Sequence, residues 1–258
     1  MTTFKLLLIA LFIASPGYAQ GVTMVMNETS GGQTTQARMQ LDRTHIRTDI
    51  RDQGRQMSVT YDADAKVMRM IDTAKGTYTE ITEQDLKQMA GMMAQMQEQM
   101  KNMPPEQRKM MEDMMKGRGG AGMPGAQAAP ARITYKRTGT GKAGQWACTT
   151  YDGFRGAEKV AEVCAAESGL DLTAADFQVV QQLADMMKSM APQQREQLAV
   201  YGTVDSQGFA GFPVRRVTFR NGKPESTSEL TEFRREAIPA AVFAAPAGFK
   251  KQDMGMGR

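Results

Sequence analysis

Few side chains of this 258-residue sequence could carry out acid–base, nucleophilic or metal chemistry. The sequence has one histidine, His45, and two cysteines, Cys148 and Cys164. Most zinc and iron–sulfur sites need more His or Cys ligands than this. The sequence also lacks a G-x-S-x-G elbow, an H-E-x-x-H pair and an EF-hand loop. His45 follows Thr44 on a polar strand pattern, which is typical of an ordinary surface histidine. The sequence therefore predicts no catalytic residue, no metal site and no cofactor.

Methionine is the unusual residue, with 23 copies. Two apolar stripes recur at the three- and four-residue spacing of a helix face. The first is Leu86, Met89, Met93, Met96, Met100 and Met103, and the second is Phe177, Val180, Leu183, Met187 and Met190. Flexible, polarizable thioethers suit a lid over an apolar ligand or a surface for other proteins. Thioethers also bind Cu(I), and the candidate copper set is Met89, Met92, Met93, Met96 and Met100.

The two cysteines flank a predicted β-hairpin. Gln145–Tyr151 and Lys159–Ala165 are strand-like, and residues 152–156 contain the Asp and Gly residues of a turn. If the hairpin folds symmetrically about Gly156, Cys148 lies opposite Cys164, which is close enough for a disulfide. A reactive or metal-binding thiol pair is the competing interpretation, but the C-x-x-C spacing is missing. We therefore predict a structural disulfide.

The amino terminus predicts export. Lys5 precedes a short apolar run, Leu6–Ala14, and small residues Gly17 and Ala19 follow a Ser-Pro break. This pattern is typical of a signal peptide, and we assign residues 1–19 to it, with cleavage after Ala19. The apolar run is about half of what a membrane span needs. The expected location is the periplasm or the outside of the cell, where disulfides persist.

The rest of the sequence predicts one α+β domain over residues 20–258. Its 41% hydrophobic and 23% charged residues are sufficient for a folded core. The predicted strands of the first half are Val22–Glu28, Gln36–Leu41, His45–Arg51, Gln56–Tyr61, Val67–Ile71 and Thr77–Ile81. Thr82 and Asp85 resemble a capping box at the start of a helix. A Gly/Ala/Pro-rich linker, 117–131, precedes a second half of the same plan, with a Thr173/Asp176 helix start.

The second half adds strands and one strong turn signal. The predicted strands are Arg132–Arg137, Gln145–Tyr151, Lys159–Ala165, Phe212–Arg220 and Thr227–Arg235. Asn221-Gly222 between the last two is the typical sequence of a two-residue hairpin turn. An antiparallel meander commonly has one face exposed to solvent and one face buried. Helices with one apolar stripe are expected to pack on the buried face.

Three features resemble a family of exported bacterial proteins that carries a domain-of-unknown-function label. These are the ending Ile238–Lys251 with its P-x-x-x-F-x-x-P-x-G-F pattern, the Cys148–Cys164 hairpin preceded by Trp146, and the Met/Gln-rich helix after strands. That family is similar to the LolA-like lipoprotein-carrier superfamily. The resemblance implies a curved, mainly antiparallel half-barrel with helical lids and a hydrophobic cavity. It implies no catalytic residue.

We therefore predict a non-enzymatic, exported protein that holds a lipid or other hydrophobic ligand between the sheet and the Met-rich helices. The candidate lid residues are Leu86, Met89, Met93, Met96, Met100, Phe177, Val180, Leu183 and Met187. Two alternatives stay open: an envelope protein-interaction module without a ligand cavity, and Cu(I) binding through the methionines. A nucleic-acid partner is not expected, because few aromatic platforms accompany the basic residues.

Overall fold

The computed structural model describes residues 19–101, 133–187 and 208–253. Strands dominate: β1 Ala19–Ser30, β2 Gln33–Leu41, β3 His45–Asp52, β4 Arg55–Asp62, β5 Val67–Asp72, β6 Thr77–Thr82, β7 Thr134–Ala143, β8 Trp146–Arg155, β9 Glu158–Ala166, β10 Phe212–Arg220, β11 Lys223–Ile238 and β12 Lys250–Gln252. The helices are α1 Glu83–Lys101, a 3-10 turn Ala174–Phe177, α2 Gln178–Met186 and a second 3-10 turn Ala240–Phe243. None of these helices is long and apolar enough to cross a membrane.

All twelve strands form one sheet in the order β12-β6-β5-β4-β3-β2-β1-β11-β10-β9-β8-β7. Two meanders, β1–β6 and β7–β11, are joined where β1 pairs antiparallel with β11, from Ala19 opposite Ile238 to Ser30 opposite Ser226. The last strand is the exception to the antiparallel pattern, because β12 pairs parallel with β6 at the sheet edge. The predicted large, mainly antiparallel sheet is confirmed.

Helix α2 lies on the apolar face of this sheet. Val179 and Val180 of α2 are buried, and they belong to one core cluster with strand residues such as Val22, Leu41 and Leu230. Phe177, directly before α2, stacks on Phe212 of β10 with ring centroids 5.9 Å apart. Burial of this helix stripe against the sheet is the main apolar contribution that fixes α2 in place.

A C-terminal strap, residues 239–249, passes over the opposite, polar face. Arg47 of β3 donates to the carbonyl of Val242 over 2.9 Å, and the ring of Phe243 stacks on His45 at 5.0 Å. The Lys250 amide then donates to the Gly76 carbonyl over 3.0 Å. Thus the end of the chain, which follows central strand β11, reaches the β6 edge.

The strand predictions of the first half are confirmed to within three residues at each end. The Asn221-Gly222 turn is also confirmed, since both residues have positive φ, 53° and 72°, as a type I′ turn requires. The predicted linker 117–131 lies outside the described residues, as does the predicted signal peptide apart from Ala19. Strand β7 extends beyond the predicted strand, through Ala143.

The disulfide Cys148–Cys164 is confirmed, with Cα atoms 5.4 Å apart. Its predicted register is wrong, because Cys164 lies opposite Thr150 and the two cysteines form a diagonal pair. Two features shift the register. Residues 152–155 continue β8, so that Arg155 lies opposite Glu158 and the turn is shorter than predicted. In addition, β8 has a bulge between Gly153 and Phe154.

Candidate functional site: a methionine face on the sheet

The strand register brings an apolar set of side chains to one face of the first meander. Met39 lies opposite Met24 on the neighbouring strand, and Val59 lies opposite Met70. Since alternate residues of a strand share a face, the remaining members follow from the pairing of β2, β3 and β4. We call this surface the methionine face and define it as Met26, Met39, Ile50, Met57, Val59 and Met70. The same pairing places Thr48 between Met39 and Val59, and Asp72 opposite Met57, on this face.

Burial on this face falls with distance from α2. The row formed by Leu41, Ile46 and Tyr61 is buried in the core together with α2. In the next two rows, Met39 and Met26 pack at the edge of that core. At the far margin, Met57 is 46% exposed and Met70 is 42% exposed.

These exposed side chains are unusual in the described part of the chain. Its exposed large hydrophobic residues are Met57, Met70 and Met92, and two of the three lie next to each other on β4 and β5. Isolated exposed apolar residues need no explanation, whereas a contiguous apolar patch marks an interaction site. The methionine face is therefore the candidate functional site.

The predicted lid residues occupy two different settings. Phe177 and Val180 are buried, and Leu183 packs against the same core. Met187 is half-buried directly after α2. Leu86 in the first turn of α1 is 1% exposed and Met89 is half-buried. The side chains of Met93, Met96 and Met100 lie outside the described residues.

The predicted Thr-x-x-Asp contacts form at the start of α1 and at the start of the 3-10 turn directly before α2. The Thr82 amide donates to the Asp85 carboxylate over 2.8 Å, and the Asp85 amide donates back to the Thr82 hydroxyl over 3.2 Å. These reciprocal bonds satisfy helix-end amides that would otherwise lack partners. Hydrogen bonding to Thr82 also holds the pKa of Asp85 below its ordinary value. The start of α1 is thereby fixed at the end of β6.

A pocket of about 300 Å³ with charged residues in its lining lies where α1, α2 and the β4–β5 turn meet. Its lining residues are Tyr61, Ala63, Lys66, Glu83, Gln182, Asp185 and Met186. Burial of the Tyr61 hydroxyl raises its pKa, and the nearby carboxylates of Asp62, Glu83 and Asp185 act in the same direction. This charged rim distinguishes the pocket from the adjacent methionine face.

A second pocket, of about 230 Å³, lies beside the disulfide. Thr150, Asp152, Glu162, Cys164 and Arg215 are among its lining residues. Lys159 bridges the two carboxylates, at 2.8 Å from Asp152 and 2.6 Å from Glu162. Hydrogen bonds to Asp152 and Glu162 raise the pKa of Lys159. This pocket offers charged and hydroxyl groups, which do not favour an acyl chain.

His45 lies on the polar face, away from the methionine face. Its Nδ1 is 3.1 Å from a carboxylate oxygen of Asp42, and its ring stacks on the buried Phe243. Both contacts join the strap and the β2–β3 turn to the sheet. Within residues 19–101, 133–187 and 208–253, no three His, Cys, Asp or Glu side chains lie close enough together to hold a metal ion.

The sequence reasoning missed the sheet residues of the candidate site. It searched the helices for apolar stripes, but the half-exposed residues Met57 and Met70 lie on strands. A signal was present: Met24 and Met26 are spaced by two residues, as are Met68 and Met70. Period-two spacing places both methionines of each pair on one face of a strand.

Comparison with known proteins identifies one matching family model. The model described as "Domain of unknown function (DUF4412)" matches residues 82–249. No curated protein matches the chain.

Two solved structures share a distant likeness with the chain. One is an uncharacterized conserved protein from Thermus thermophilus, with 8% sequence identity, a TM-score of 0.46 and 91% of each chain covered. The other is MucB, solved in complex with MucA(peri), with 8% identity and a TM-score of 0.40. That alignment covers 88% of this chain and 55% of the MucB chain.

Proposed function

We propose that this chain, which belongs to the family described as domain of unknown function DUF4412, is an exported, non-enzymatic binding protein for a lipid or other hydrophobic ligand. The ligand would lie on the methionine face beside the buried stripe of α2, with the apolar stripe of α1 as its lid. The observation that carries this proposal is the mainly apolar surface, bordered by Asp72, that ends in the half-exposed side chains of Met57 and Met70.

The chemistry of the face supports an apolar ligand of variable shape. Methionine side chains have three rotatable bonds and a polarizable sulfur, so they adapt to irregular partners. Burying each ligand CH₂ on such a surface contributes about 0.8 kcal/mol. A ligand covering Met57, Met70, Ile50 and Val59 would also remove those side chains from water. A large, mainly antiparallel sheet with α2 on its apolar face supports the half-barrel that the family resemblance implies.

The disulfide supports export. Cys148 and Cys164 are bonded, and structural disulfides persist in oxidising compartments such as the periplasm. The amino-terminal pattern of residues 1–19 leads to the same expectation. We therefore place the protein in the periplasm or outside the cell.

The first experiment is to identify what the protein carries. Mature protein purified from its own cell envelope is analysed by native mass spectrometry and then by organic extraction. A co-purifying lipid would support the proposal and give the ligand class. Binding of the apolar fluorophore N-phenyl-1-naphthylamine (NPN) then provides a titratable assay on the stripped protein.

Substitution tests the location of the ligand. The double variant Met57→Glu/Met70→Glu is expected to bind NPN about tenfold more weakly, because it places two carboxylates beside the apolar ligand. The matched control is Met92→Glu on α1, since Met92 is also 46% exposed. Circular dichroism checks that each variant is folded. Equal NPN affinity in wild type and double variant would contradict the proposed location.

A protein partner is the second candidate function. It is favoured by the charged lining of the pocket next to the methionine face, because an open apolar patch with a polar rim is typical of a protein interface. If the protein binds a protein partner instead of a lipid, we expect that no lipid co-purifies and that NPN does not bind. Cross-linking through a photoreactive residue at position 57 would then capture an envelope protein, and Met70→Glu would abolish that capture.

A further inference from the structure

Methionine supplies the oxidisable sulfur of this chain. The sequence contains two cysteines and 23 methionines, and the two cysteines are bonded to each other. A disulfide is not a thiolate and does not consume oxidant by the usual thiol route. Oxidants of the hypohalous acid or peroxide class would therefore react first with accessible thioethers.

Accessibility separates the methionines at the margin of the methionine face from the buried ones. Met57 is 46% exposed and Met70 is 42% exposed, whereas Met24 on the same sheet face is 1% exposed. Met57 lies opposite Asp72, and Asp72 is two residues from Met70 on the neighbouring strand, so the two half-exposed methionines are diagonal neighbours. Both lie where the proposed ligand would make contact.

We propose that Met57 and Met70 form a reversible oxidation site that controls ligand binding by the methionine face. In each step the thioether sulfur attacks hypochlorous acid, and after loss of chloride and addition of water the products are the sulfoxide, chloride and a proton: R–S–R′ + HOCl → R–S(=O)–R′ + HCl. The sulfur is oxidised by two electrons and the chlorine is reduced. The effect on binding rests on the proposed function.

The physical consequence follows from polarity. A sulfoxide oxygen is a strong hydrogen-bond acceptor, and it converts an apolar side chain into a polar one. An apolar ligand cannot satisfy that oxygen, so covering it costs free energy. Oxidation of both residues is expected to weaken NPN binding about tenfold. Sulfoxide reductases of both stereochemical classes would restore the thioethers and the affinity.

The test combines peptide mass spectrometry with NPN titration. The folded protein is treated with increasing equivalents of hypochlorite, quenched with free methionine, and digested. The expected order is that Met57 and Met70 are oxidised at the lowest doses and Met24 at the highest. Loss of NPN affinity should follow oxidation at positions 57 and 70, and treatment with both reductases should reverse it.

Leucine variants separate these residues from the other methionines. Met57→Leu/Met70→Leu keeps apolar side chains of similar volume, so it should bind NPN before and after the same hypochlorite dose. Met92→Leu is the control, because an equally exposed thioether on α1 is removed while the site remains. This control variant should lose NPN affinity on oxidation, as wild type does.

Three outcomes decide the inference. If Met57 and Met70 are oxidised only at the high doses that also oxidise Met24, the proposed oxidation site does not exist. Equal loss of affinity in wild type and in the double Leu variant would overturn its role in binding. If the untreated protein binds no NPN, the proposed function fails instead, and the order of oxidation alone then decides whether the site exists.

Discussion

Asp176, in the 3-10 turn directly before α2, shows how one carboxylate can connect a helical segment to a strand. It accepts hydrogen bonds from the Thr173 amide over 2.7 Å and from Arg235 of β11 over 2.9 Å. Burial acts to raise the pKa of Asp176, but the bonds from Arg235 and Thr173 outweigh it and hold the pKa below its ordinary value of 3.8. The charged form of Asp176 therefore stabilises the folded state.

We expect Asp176→Asn to reduce the free energy of unfolding by about 1 kcal/mol at pH 7, because it weakens the cap and the ion pair. Urea denaturation measures this change. Asp171→Asn is the comparison, since Arg235 donates to the backbone carbonyl of Asp171 and the Asp171 carboxylate acts on Arg235 through its charge alone. Equal destabilisation by both variants would contradict the assigned role.

The same contact predicts a pH dependence. A carboxylate with a lowered pKa in the folded state stabilises the protein above its ordinary pKa, and the stabilisation is lost as the pH falls through the lower value. The difference in the free energy of unfolding between wild type and Asp176→Asn should thus be constant above about pH 5. It should shrink as the pH falls below 3.8, the ordinary pKa of the carboxyl group. A difference that persists in full below the folded-state pKa would contradict the electrostatic explanation.

At the scale of elements, strand β1 has little space between β2 and β11. A Cβ atom added at Gly21 would lie 2.5 Å from the Leu41 carbonyl oxygen and 2.6 Å from Cδ1 of Ile238. Both neighbours are buried, at 1% exposure each. Glycine at this position therefore permits the close approach of the two meanders.

Gly21→Ala is expected to destabilise the protein by roughly 1–3 kcal/mol, because the new methyl group overpacks this junction. Gly91→Ala is the comparison: nothing lies within 4 Å of a Cβ there, and Ala stabilises an α-helix by roughly 0.5–1 kcal/mol relative to Gly. Thermal denaturation of the two variants should give melting temperatures that shift in opposite directions. Shifts of the same sign would contradict this explanation.

At the scale of the whole molecule, the end of the chain fixes the edge of the sheet. Lys251 of β12 pairs with Glu80 of β6 at 2.5 Å, and Arg69 of β5 pairs with the same carboxylate at 2.9 Å. The hydrogen bond from Lys251 is the main cause that lowers the pKa of Glu80, with Arg69 contributing and burial opposing. The ionised Glu80 therefore adds an ion pair to the backbone pairing that holds β12 on β6.

Acid is expected to release β12 before the sheet unfolds. The stabilisation by ionised Glu80 is complete above its ordinary pKa of 4.5 and is lost as the pH falls through the lower folded-state value. Hydrogen exchange at residues 250–252, corrected for the intrinsic pH effect, should therefore accelerate below about pH 4. In Glu80→Gln, exchange at 250–252 should be fast at pH 7 as well. Protection in that variant equal to wild type would contradict this role.

The sequence alone determined the local elements. Period-two patterns located β1–β6, because alternation is a short-range property that a half-buried strand needs wherever it pairs. The Asn221-Gly222 turn and the Thr-x-x-Asp capping contacts at Thr82 and Thr173 were also predicted from the sequence, because the interacting groups of each lie within four residues of one another. The cysteines indicated a disulfide through their compartment, but a bulge and a short turn changed the register.

Only the tertiary structure decided which elements meet and which side chains stay exposed. The pairing of β1 with β11 and of β12 with β6 joins residues that are more than 150 positions apart. No local pattern distinguishes these partners, because any apolar strand edge offers the same backbone hydrogen bonds. For the same reason, Met24 and Met70 are alike in sequence, yet one is buried in the core and the other half-exposed on the candidate site. Their distance from α2 on the assembled sheet makes the difference.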